Sequence, residues 1–160
     1  MSRSELAENT CTAARAVELF GDAWMMMILR EMFLGTRRFD DLQRLTGAAP
    51  ATLSQRLKRL EGVGVIRRES YQENPTRYEY RLTAMGRDLW PVIISMKIWG
   101  DKWLGKGDPT PVTIIHKQCG GTVTPHFICP DCHAPMEAHD AEPRLSPEFE
   151  HERRMARGQS

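Results

Sequence analysis

The sequence predicts an α+β fold that is mainly helical: a winged helix-turn-helix flanked by further helices and followed by a small β-hairpin module. Three observations predict it. Two helical patterns separated by a Gly turn occupy residues 39–61. A hairpin pattern follows at residues 65–82. All five histidines and three of the four cysteines lie beyond residue 115, which indicates a second unit of different chemistry.

Two helices are predicted before the helix-turn-helix. Apolar residues recur at helical spacing over residues 13–19 and 24–33. Gly21 and Asp22 separate the two segments, and Asp22 is a suitable N-cap for the second helix. Gly35 and Thr36 close that helix.

The helix-turn-helix pattern comes next. Phe39, Leu42 and Leu45 predict a short helix over residues 39–46, and the Gly-Ala-Ala of residues 47–49 is the turn. Pro50 suits the first position of the second helix, which runs to about residue 61. Leu57 and Leu60 of that helix lie within about 40° of Leu53 around its axis, so we expect all three leucines to be buried.

A hairpin and a long helix complete this part of the chain. Strands are predicted over residues 65–70 and 77–82, with a turn at 72–75 where an Asn-Pro pair occurs. Thr83 caps a helix that extends from 84 to about 103. Pro91 lies inside this helix and should kink it or split it in two.

Charge is distributed unevenly along the 160 residues, a length that suits one domain with a small appendage. The net charge of +1 argues against a nucleic-acid binder, but residues 1–104 carry +3, residues 36–81 carry +4 and residues 105–160 carry −2.

The longest apolar run has seven residues, so no membrane span is expected. No secretory signal is visible, and the cytoplasm is the expected compartment.

The outer face of the second helix of the motif predicts contact with double-stranded DNA. It carries short polar, amide and cationic side chains that suit base edges and phosphates. These are Thr52, Ser54, Gln55, Lys58 and Arg59. We expect base reading by Ser54, Gln55 and Lys58.

Further cations should dock the DNA backbone. Arg37 and Arg38 precede the motif, and the hairpin offers Asn74 and Arg77 to a minor groove. The alternative is a small helical domain with a solvated basic face. An enzyme is not expected, because residues 1–115 hold no histidine and no Gly-rich phosphate loop occurs.

Several segments together resemble a known family. They are Cys11, LFGDAW at 19–24, ILRE at 28–31, RFDDL at 38–42, LSQRLKRLE at 53–61 and YEYRLTAMG at 78–86. In this order they resemble the HxlR family of bacterial winged-helix transcriptional regulators, related to MarR. The resemblance covers residues 11–103. It implies a homodimer joined through its N- and C-terminal helices, which represses or activates from a partly palindromic operator, in some members under a small effector.

Cys11 has two interpretations. Some members of the family sense oxidants or electrophiles through a cysteine near the N-terminus, and the resemblance places Cys11 there. Arg15 lies one turn later and a helix begins nearby, and both favour a thiolate. The alternative is a small buried residue on the first helix.

The second predicted unit is a zinc-ribbon-like module at residues 112–140, after a linker at 105–111 that holds two Gly and two Pro. Predicted strands at 112–115 and 122–128 each lead into a tight turn. The turns give the pattern H-x2-C-x9-C-x2-C, formed by His116, Cys119, Cys129 and Cys132. Four such donors suit the tetrahedral site of a structural Zn²⁺.

Alternatives stay open for this module. The cluster could be reduced and metal-free, and His126 or His133 competes with His116 as fourth ligand. A thioredoxin-like pair lacks its βαβ context, and a disulfide is not expected in the cytoplasm. Some longer HxlR proteins carry a similar tail. Residues 141–160 are predicted to be mostly disordered, with about one helical turn near 148–155.

The sequence thus predicts a homodimeric DNA-binding transcriptional regulator. The rival prediction is a protein-interaction or dimerisation module that uses a winged helix and a zinc ribbon without specific DNA binding.

Overall fold

The computed structural model describes residues 6–105, 107 and 109–158. Residues 106 and 108 of the predicted linker lie outside the described residues, as do 1–5 and 159–160. The chain divides into two compact units, Phe20–Val123 and a smaller one that joins Met1–Leu19 to Thr124–Ser160. This division differs from the predicted boundary at 105–111, because the N-terminal helix groups with the C-terminal segment.

The elements follow the predicted order. They are α1 (Thr12–Phe20), α2 (Ala23–Phe33), α3 (Phe39–Thr46), α4 (Pro50–Gly62), β1 (Ile66–Glu73), β2 (Thr76–Leu82), α5 (Ala84–Arg87), α6 (Trp90–Trp103), β3 (Phe127–Ile128), β4 (Pro135–Met136), a 3-10 helix (Ala138–Asp140) and α7 (Pro147–Ala156). The mainly helical α+β fold with a winged helix-turn-helix is confirmed.

The core of the larger unit lies between α2 and the helix-turn-helix. Its fully buried side chains come from every element of the motif: Met25, Ile28, Leu29, Leu42, Leu53, Leu57, Leu60, Val65 and Ile66. Burial of the α4 leucines is as predicted. Because one side of α4 is held in this core, its other side is presented outward in a fixed orientation.

Local chemistry sets the helix boundaries. The Asp22 carboxylate caps α2 by accepting from the Met25 N–H at 3.1 Å. Gly47 ends α3 with a left-handed φ of 72°, a conformation that suits glycine. Pro50 begins α4, where a missing N–H costs nothing.

The wing is an antiparallel hairpin of β1 and β2. Ile66 pairs with Leu82 and Ser70 with Tyr78, and a bulge follows Ser70. Asn74 lies in the connection between the strands. Arg38, just before α3, forms an isolated antiparallel β-bridge with Glu79 on β2, so this segment lies alongside the hairpin as a very short third strand.

The predicted long helix is split in two, as Pro91 indicated: α5 ends at Arg87, and α6 begins with Pro91 in its first turn. Gly86 lets α5 approach the start of the wing. A Cβ at this position would overlap the Val65 carbonyl oxygen.

The predicted strands of the module differ from the observed ones. Residues 112–115 have only one bridge, from Ile115 to Thr122. The predicted strand at 122–128 is wrong as one element: only Phe127–Ile128 forms a strand, and it pairs with Pro135–Met136. Pro125 interrupts the run because it has no N–H to donate.

The smaller unit contains β3, β4, α7 and all but the last residue of α1. Helix α7 differs from the predicted disorder at 141–160. The Ser146 hydroxyl accepts from the Phe149 N–H at 3.3 Å, and Pro147 occupies the first turn. Together they start a ten-residue helix where one turn was expected. Nowhere in the described ranges does a helix combine the length and apolarity needed to span a bilayer.

Candidate nucleic-acid interface

The outer side of α4 is polar and accessible. Ser54, Gln55 and Lys58 are exposed, while Thr52 and Arg59 are half-buried at the margins of this side. The leucines that anchor α4 point the other way. The structure therefore places the predicted base-reading residues together on one outward face, which we call the reading face.

An ion pair that the sequence analysis missed holds α4 against the start of α2. Arg56 Nη2 donates to Asp22 Oδ2 at 2.7 Å. Both side chains are mostly buried, at 19% and 13% exposure, and the pairing with Arg56 lowers the pKa of the Asp22 carboxyl. The sequence did hold a signal. Arg56 lies about 60° from Leu53 around the helix, and a cation at the edge of a buried stripe calls for a carboxylate partner.

The same guanidinium reaches the reading face. Arg56 Nη1 donates to Gln55 Oε1 at 2.7 Å. Arg56 Nε is buried and finds no acceptor among the described residues. Asp22, Arg56 and Gln55 thus form one chain of hydrogen bonds from the α2 cap to a predicted base-reading side chain.

The two arginines before α3 are fixed through the wing. The Tyr80 N–H donates to the Arg37 carbonyl at 2.8 Å, which anchors the backbone of this segment. Arg38 lies over the Tyr71 ring at 4.6 Å, a cation–π contact. Both arginines are exposed. The predicted phosphate-docking residues are therefore mounted on a sheet edge rather than on a loose loop.

The tip and strands of the wing carry the remaining predicted contacts. Asn74 and Arg77 are exposed. Arg68 lies over the Tyr78 ring at 4.4 Å, so this tyrosine supports a cation on the opposite strand. The role of Tyr71 and Tyr78 as supports was not predicted from the sequence.

Ion pairs engage part of the basic excess of residues 36–81. Carboxylates pair with arginines 44, 56, 67, 68 and 81. In the part of the chain that the structure describes, no ion pair engages Arg37, Arg38, Lys58 or Arg77. The cations available to a ligand are therefore those of the reading face, of the segment with Arg37 and Arg38 before α3, which we call the arm, and of the wing.

Two open clefts lie beside these cations. One, of about 490 Å³, is lined by residues that include Arg37, Arg38 and Glu79. The other, of about 470 Å³, includes Arg44, Tyr71 and Arg77. Both are open and lined by charged side chains of both signs, which does not suit an apolar effector.

Helix α6 is apolar on two sides. Ile93 and Ile94 are buried in the core. A second row, which we call the exposed stripe, has the spacing i, i+4, i+7, i+11 and consists of Val92, Met96, Trp99 and Trp103. Their exposed fractions run from 49% to 63%, and a row of this kind marks an interaction surface.

The predicted metal ligands lie in two tight turns. In the first, His116 Nδ1 is 3.2 Å from Cys119 Sγ. In the second, hydrogen bonds from the backbone of Cys132 and Asp131 lower the pKa of the Cys129 thiol. Across the described residues, no three or more His, Cys, Asp or Glu side chains are grouped so as to hold a metal ion.

The backbone of the two turns follows the same pattern. In the first turn, the Gly120 N–H donates to the His116 carbonyl at 2.8 Å, and the His116 N–H donates to Gly121 at 2.8 Å. In the second, the His133 N–H donates to the Cys129 carbonyl at 2.9 Å, and the Cys129 N–H donates to Ala134 at 2.9 Å.

The residue after the second ligand is also left-handed in both turns. Gly120 has a φ of 72° and His133 a φ of 58°. His116 in the first turn is therefore equivalent in position to Cys129 in the second turn, whereas His133 in the second turn is equivalent to Gly120 in the first.

Cys11 is half-buried at the start of α1. Its N–H donates to Asn9 Oδ1 at 2.9 Å, and its carbonyl accepts from the Arg15 N–H at 3.2 Å. The predicted position at a helix start is confirmed, and the role of the thiol stays a prediction.

Comparison with known proteins agrees with this geometry. The family model described as HxlR-like helix-turn-helix matches residues 19–108. The uncharacterised HTH-type transcriptional regulator Rv3095 of Mycobacterium tuberculosis (strain ATCC 25618 / H37Rv) is 41% identical over 138 residues, which cover 86% of this chain and 87% of that protein.

Solved structures are similar as well. PA1607, a protein proposed to be a transcription factor, superposes with a TM-score of 0.78 at 31% identity, covering 90% of this chain and 99% of its own. The redox regulator HypR in its oxidised form gives a TM-score of 0.54 at 31% identity, over 57% of this chain and 96% of its own. The chain belongs to the HxlR-like helix-turn-helix family, and it is a transcriptional regulator rather than an enzyme.

Proposed function

We propose that this regulator binds a partly palindromic operator as a homodimer, with one α4 helix in each of two neighbouring major grooves. The observation that carries the proposal is the reading face, which presents Ser54, Gln55 and Lys58 outward from a helix anchored by three leucines. Short polar and amide groups discriminate base edges, which phosphate contacts alone cannot do. We propose the cytoplasm as the compartment, because an operator-binding protein must reach chromosomal DNA.

Docking would divide between two kinds of contact. Lys58 lies on the reading face and the half-buried Arg59 at its margin, whereas Arg37, Arg38 and Arg77 lie on the arm and the wing. The second group would hold phosphates and set the register of α4, and Asn74 would reach the adjacent minor groove. Base contacts confer sequence preference, and phosphate contacts confer affinity that falls with salt.

The exposed stripe of α6 supports the homodimer. Four apolar side chains at a spacing that repeats every turn would pair with the same row on a second copy, as two-fold symmetry requires. Two recognition helices must be held about one helical turn of DNA apart, so the dimer interface would set operator spacing.

A gel-shift experiment tests the proposal. The full-length protein should form a salt-sensitive complex with a duplex from the promoter of its own gene, and bind a scrambled duplex far more weakly. Gln55→Ala or Lys58→Ala should weaken operator binding by about 5- to 150-fold and binding to scrambled DNA little. Arg37→Ala should weaken both alike.

Arg144→Ala is the matched control for charge removal, because Arg144 is exposed and lies far along the sequence from the motif. It should bind as wild type. Equal binding of the wild type to promoter and scrambled duplexes would overturn the proposal and favour the protein-interaction module.

For regulation, we propose that an oxidant acts at Cys11. The similarity to the redox regulator HypR and the place of Cys11 at a helix start support this. Hydrogen peroxide would convert the thiol to a sulfenic acid and water. Peroxide should then release the wild type from its operator but not Cys11→Ser. Peroxide release of both proteins alike would refute this role and leave a small effector as the alternative.

We further propose that the two matching turns bind one structural Zn²⁺ through His116, Cys119, Cys129 and Cys132. Their donors fit the ion: three thiols and one imidazole are soft and borderline ligands that zinc prefers. Both turns share the same backbone hydrogen bonds, and in both the residue after the second ligand has a left-handed φ. These likenesses support equal roles for His116 and Cys129. Zinc would supply folding free energy to a segment with few buried apolar groups.

A further inference from the structure

The hydrogen-bond chain through Arg56 bears directly on how Gln55 would read a base. A guanidinium carries only N–H donors, so it can hold the amide of Gln55 only by its oxygen. The bond of 2.7 Å from Arg56 Nη1 to Gln55 Oε1 therefore fixes which end of the amide points away. The end left outward is Nε2, which donates.

The position of Arg56 is fixed by a second contact. Its Nη2 donates to Asp22 Oδ2 at 2.7 Å, and Asp22 is in turn held in place because its carboxylate accepts from the Met25 N–H. Because the guanidinium is planar and rigid, fixing one nitrogen on Asp22 fixes the direction of the other toward Gln55. The orientation of an exposed amide is thus set from a mostly buried ion pair.

The polarity of the amide decides which base it prefers. A free glutamine reads adenine with both ends, accepting from N6 and donating to N7. Guanine offers two acceptors, N7 and O6, and needs only donors. An amide whose oxygen is turned toward Arg56 presents only Nε2 outward, so it keeps the contact to guanine and loses the contact of its oxygen with adenine N6.

We propose that Asp22 and Arg56 are positioning residues that turn Gln55 into a donor-only reader, so that the operator carries guanine rather than adenine opposite it. Neither residue touches the base in this arrangement. The inference rests on the proposed operator binding.

The test begins with a randomised pool of 30-bp duplexes, selected by the full-length wild type and sequenced. Gln55→Ala identifies the operator position that depends on Gln55, because its base preference there is lost. At that position, the wild type should favour guanine over adenine by about tenfold, within the range of one good bidentate contact.

Arg56→Met removes the guanidinium that holds the Gln55 side chain, so the amide oxygen of Gln55 becomes free to turn outward. The guanine-to-adenine ratio should then fall about tenfold, to near parity, while preferences at the other operator positions are unchanged. Asp22→Asn keeps a good N-cap but removes the charge of the pair, so it should lower the same ratio by a smaller factor and preserve the fold. Arg67→Met is the matched control, because Arg67 has its own pair with Glu69, and it should leave the ratio as in the wild type.

Each other outcome is decisive. If both Arg56→Met and Asp22→Asn keep the wild-type ratio, Gln55 is not oriented by the pair and the inference is wrong. If the two variants weaken every operator position alike, the pair has a structural role only. If the wild type selects no sequence from the pool, operator binding itself fails and the inference falls with it.

Discussion

Replacement of Trp99 by alanine on the exposed stripe should break the dimer. A tryptophan presents about 200 Å² of side-chain surface, so the 58% of Trp99 that is exposed amounts to about 120 Å². At about 25 cal/mol per Å², covering this surface stabilises an interface by about 3 kcal/mol. Two-fold symmetry places both copies in the interface, so Trp99→Ala could cost up to about 6 kcal/mol.

Part of that area converts poorly to affinity, because ordering and desolvation oppose association. We therefore expect the dissociation constant of the dimer to rise by at least about 100-fold, which corresponds to about 2.7 kcal/mol. Sedimentation equilibrium at micromolar concentration measures it directly. The variant should sediment as a monomer and the wild type as a dimer.

Met85→Ala is the matched control, since Met85 is also about half exposed but lies on α5 outside the stripe. It should remain dimeric and fold as the wild type. A wild type that stays monomeric at tens of micromolar, or a Trp99→Ala variant as dimeric as Met85→Ala, would refute the assignment of the stripe to the interface.

Three further predictions concern stability and metal content. Gly86→Ala should lower the free energy of unfolding by about 1–3 kcal/mol in urea titrations, because its Cβ would overlap the Val65 carbonyl oxygen, whereas Gly62→Ala, with open space around it, should be neutral or slightly stabilising. The pKa of Asp22 is lowered below 3.8 by Arg56, so the ion pair contributes fully above about pH 4 and its contribution is lost as pH falls through the lowered pKa. The difference in unfolding free energy between wild type and Asp22→Asn should therefore shrink between pH 7 and pH 2.5, and a constant difference would contradict the pairing. Purified wild type should hold about one zinc per chain by atomic absorption. His116→Ala and Cys129→Ser should lose the zinc, whereas His126→Ala should keep it. Equal zinc content in all four proteins would exclude the proposed ligands.

Sequence periodicity was sufficient for the helix-turn-helix because local and long-range preferences agree there. Pro50 begins α4, Gly47 ends α3, and the leucines that repeat along α4 are the ones that the core buries. Where local chemistry is this explicit, element order follows from the pattern alone.

The C-terminal part was harder to predict for a physical reason. Its elements are short and pair across tight turns, so a two-residue strand such as Phe127–Ile128 has no periodicity to detect. In α7, a low apolar content suggested disorder, yet the Ser146 cap and Pro147 start a helix through local hydrogen bonding. Composition indicates whether a segment can bury a core, and it says less about capping.

The position of Arg56 on α4 indicated that it needs a carboxylate partner, but the sequence could not identify Asp22 as that partner, for a different reason. Thirty-four residues separate Asp22 from Arg56, and only the packing of α2 against α4 brings them together. Sequence analysis found each end separately, with Asp22 as a cap and Gln55 as a base reader. The residue that links them looked like one more cation in a basic helix.

These ion pairs change which of the basic residues contribute to the attraction of DNA. The segment from 36 to 81 holds ten basic residues, and among the described ion pairs carboxylates engage arginines 44, 56, 67, 68 and 81. Engaged arginines add little to the field that attracts DNA, because the opposite charge of the partner cancels most of it at distances well beyond the separation of the pair. The field that the chain presents to DNA therefore comes largely from the cations on the reading face, arm and wing. With so modest a field, discrimination between DNA sequences has to come from the side chains that α4 holds in fixed orientations, and the pair that fixes one of them is the part of the electrostatics that would decide specificity.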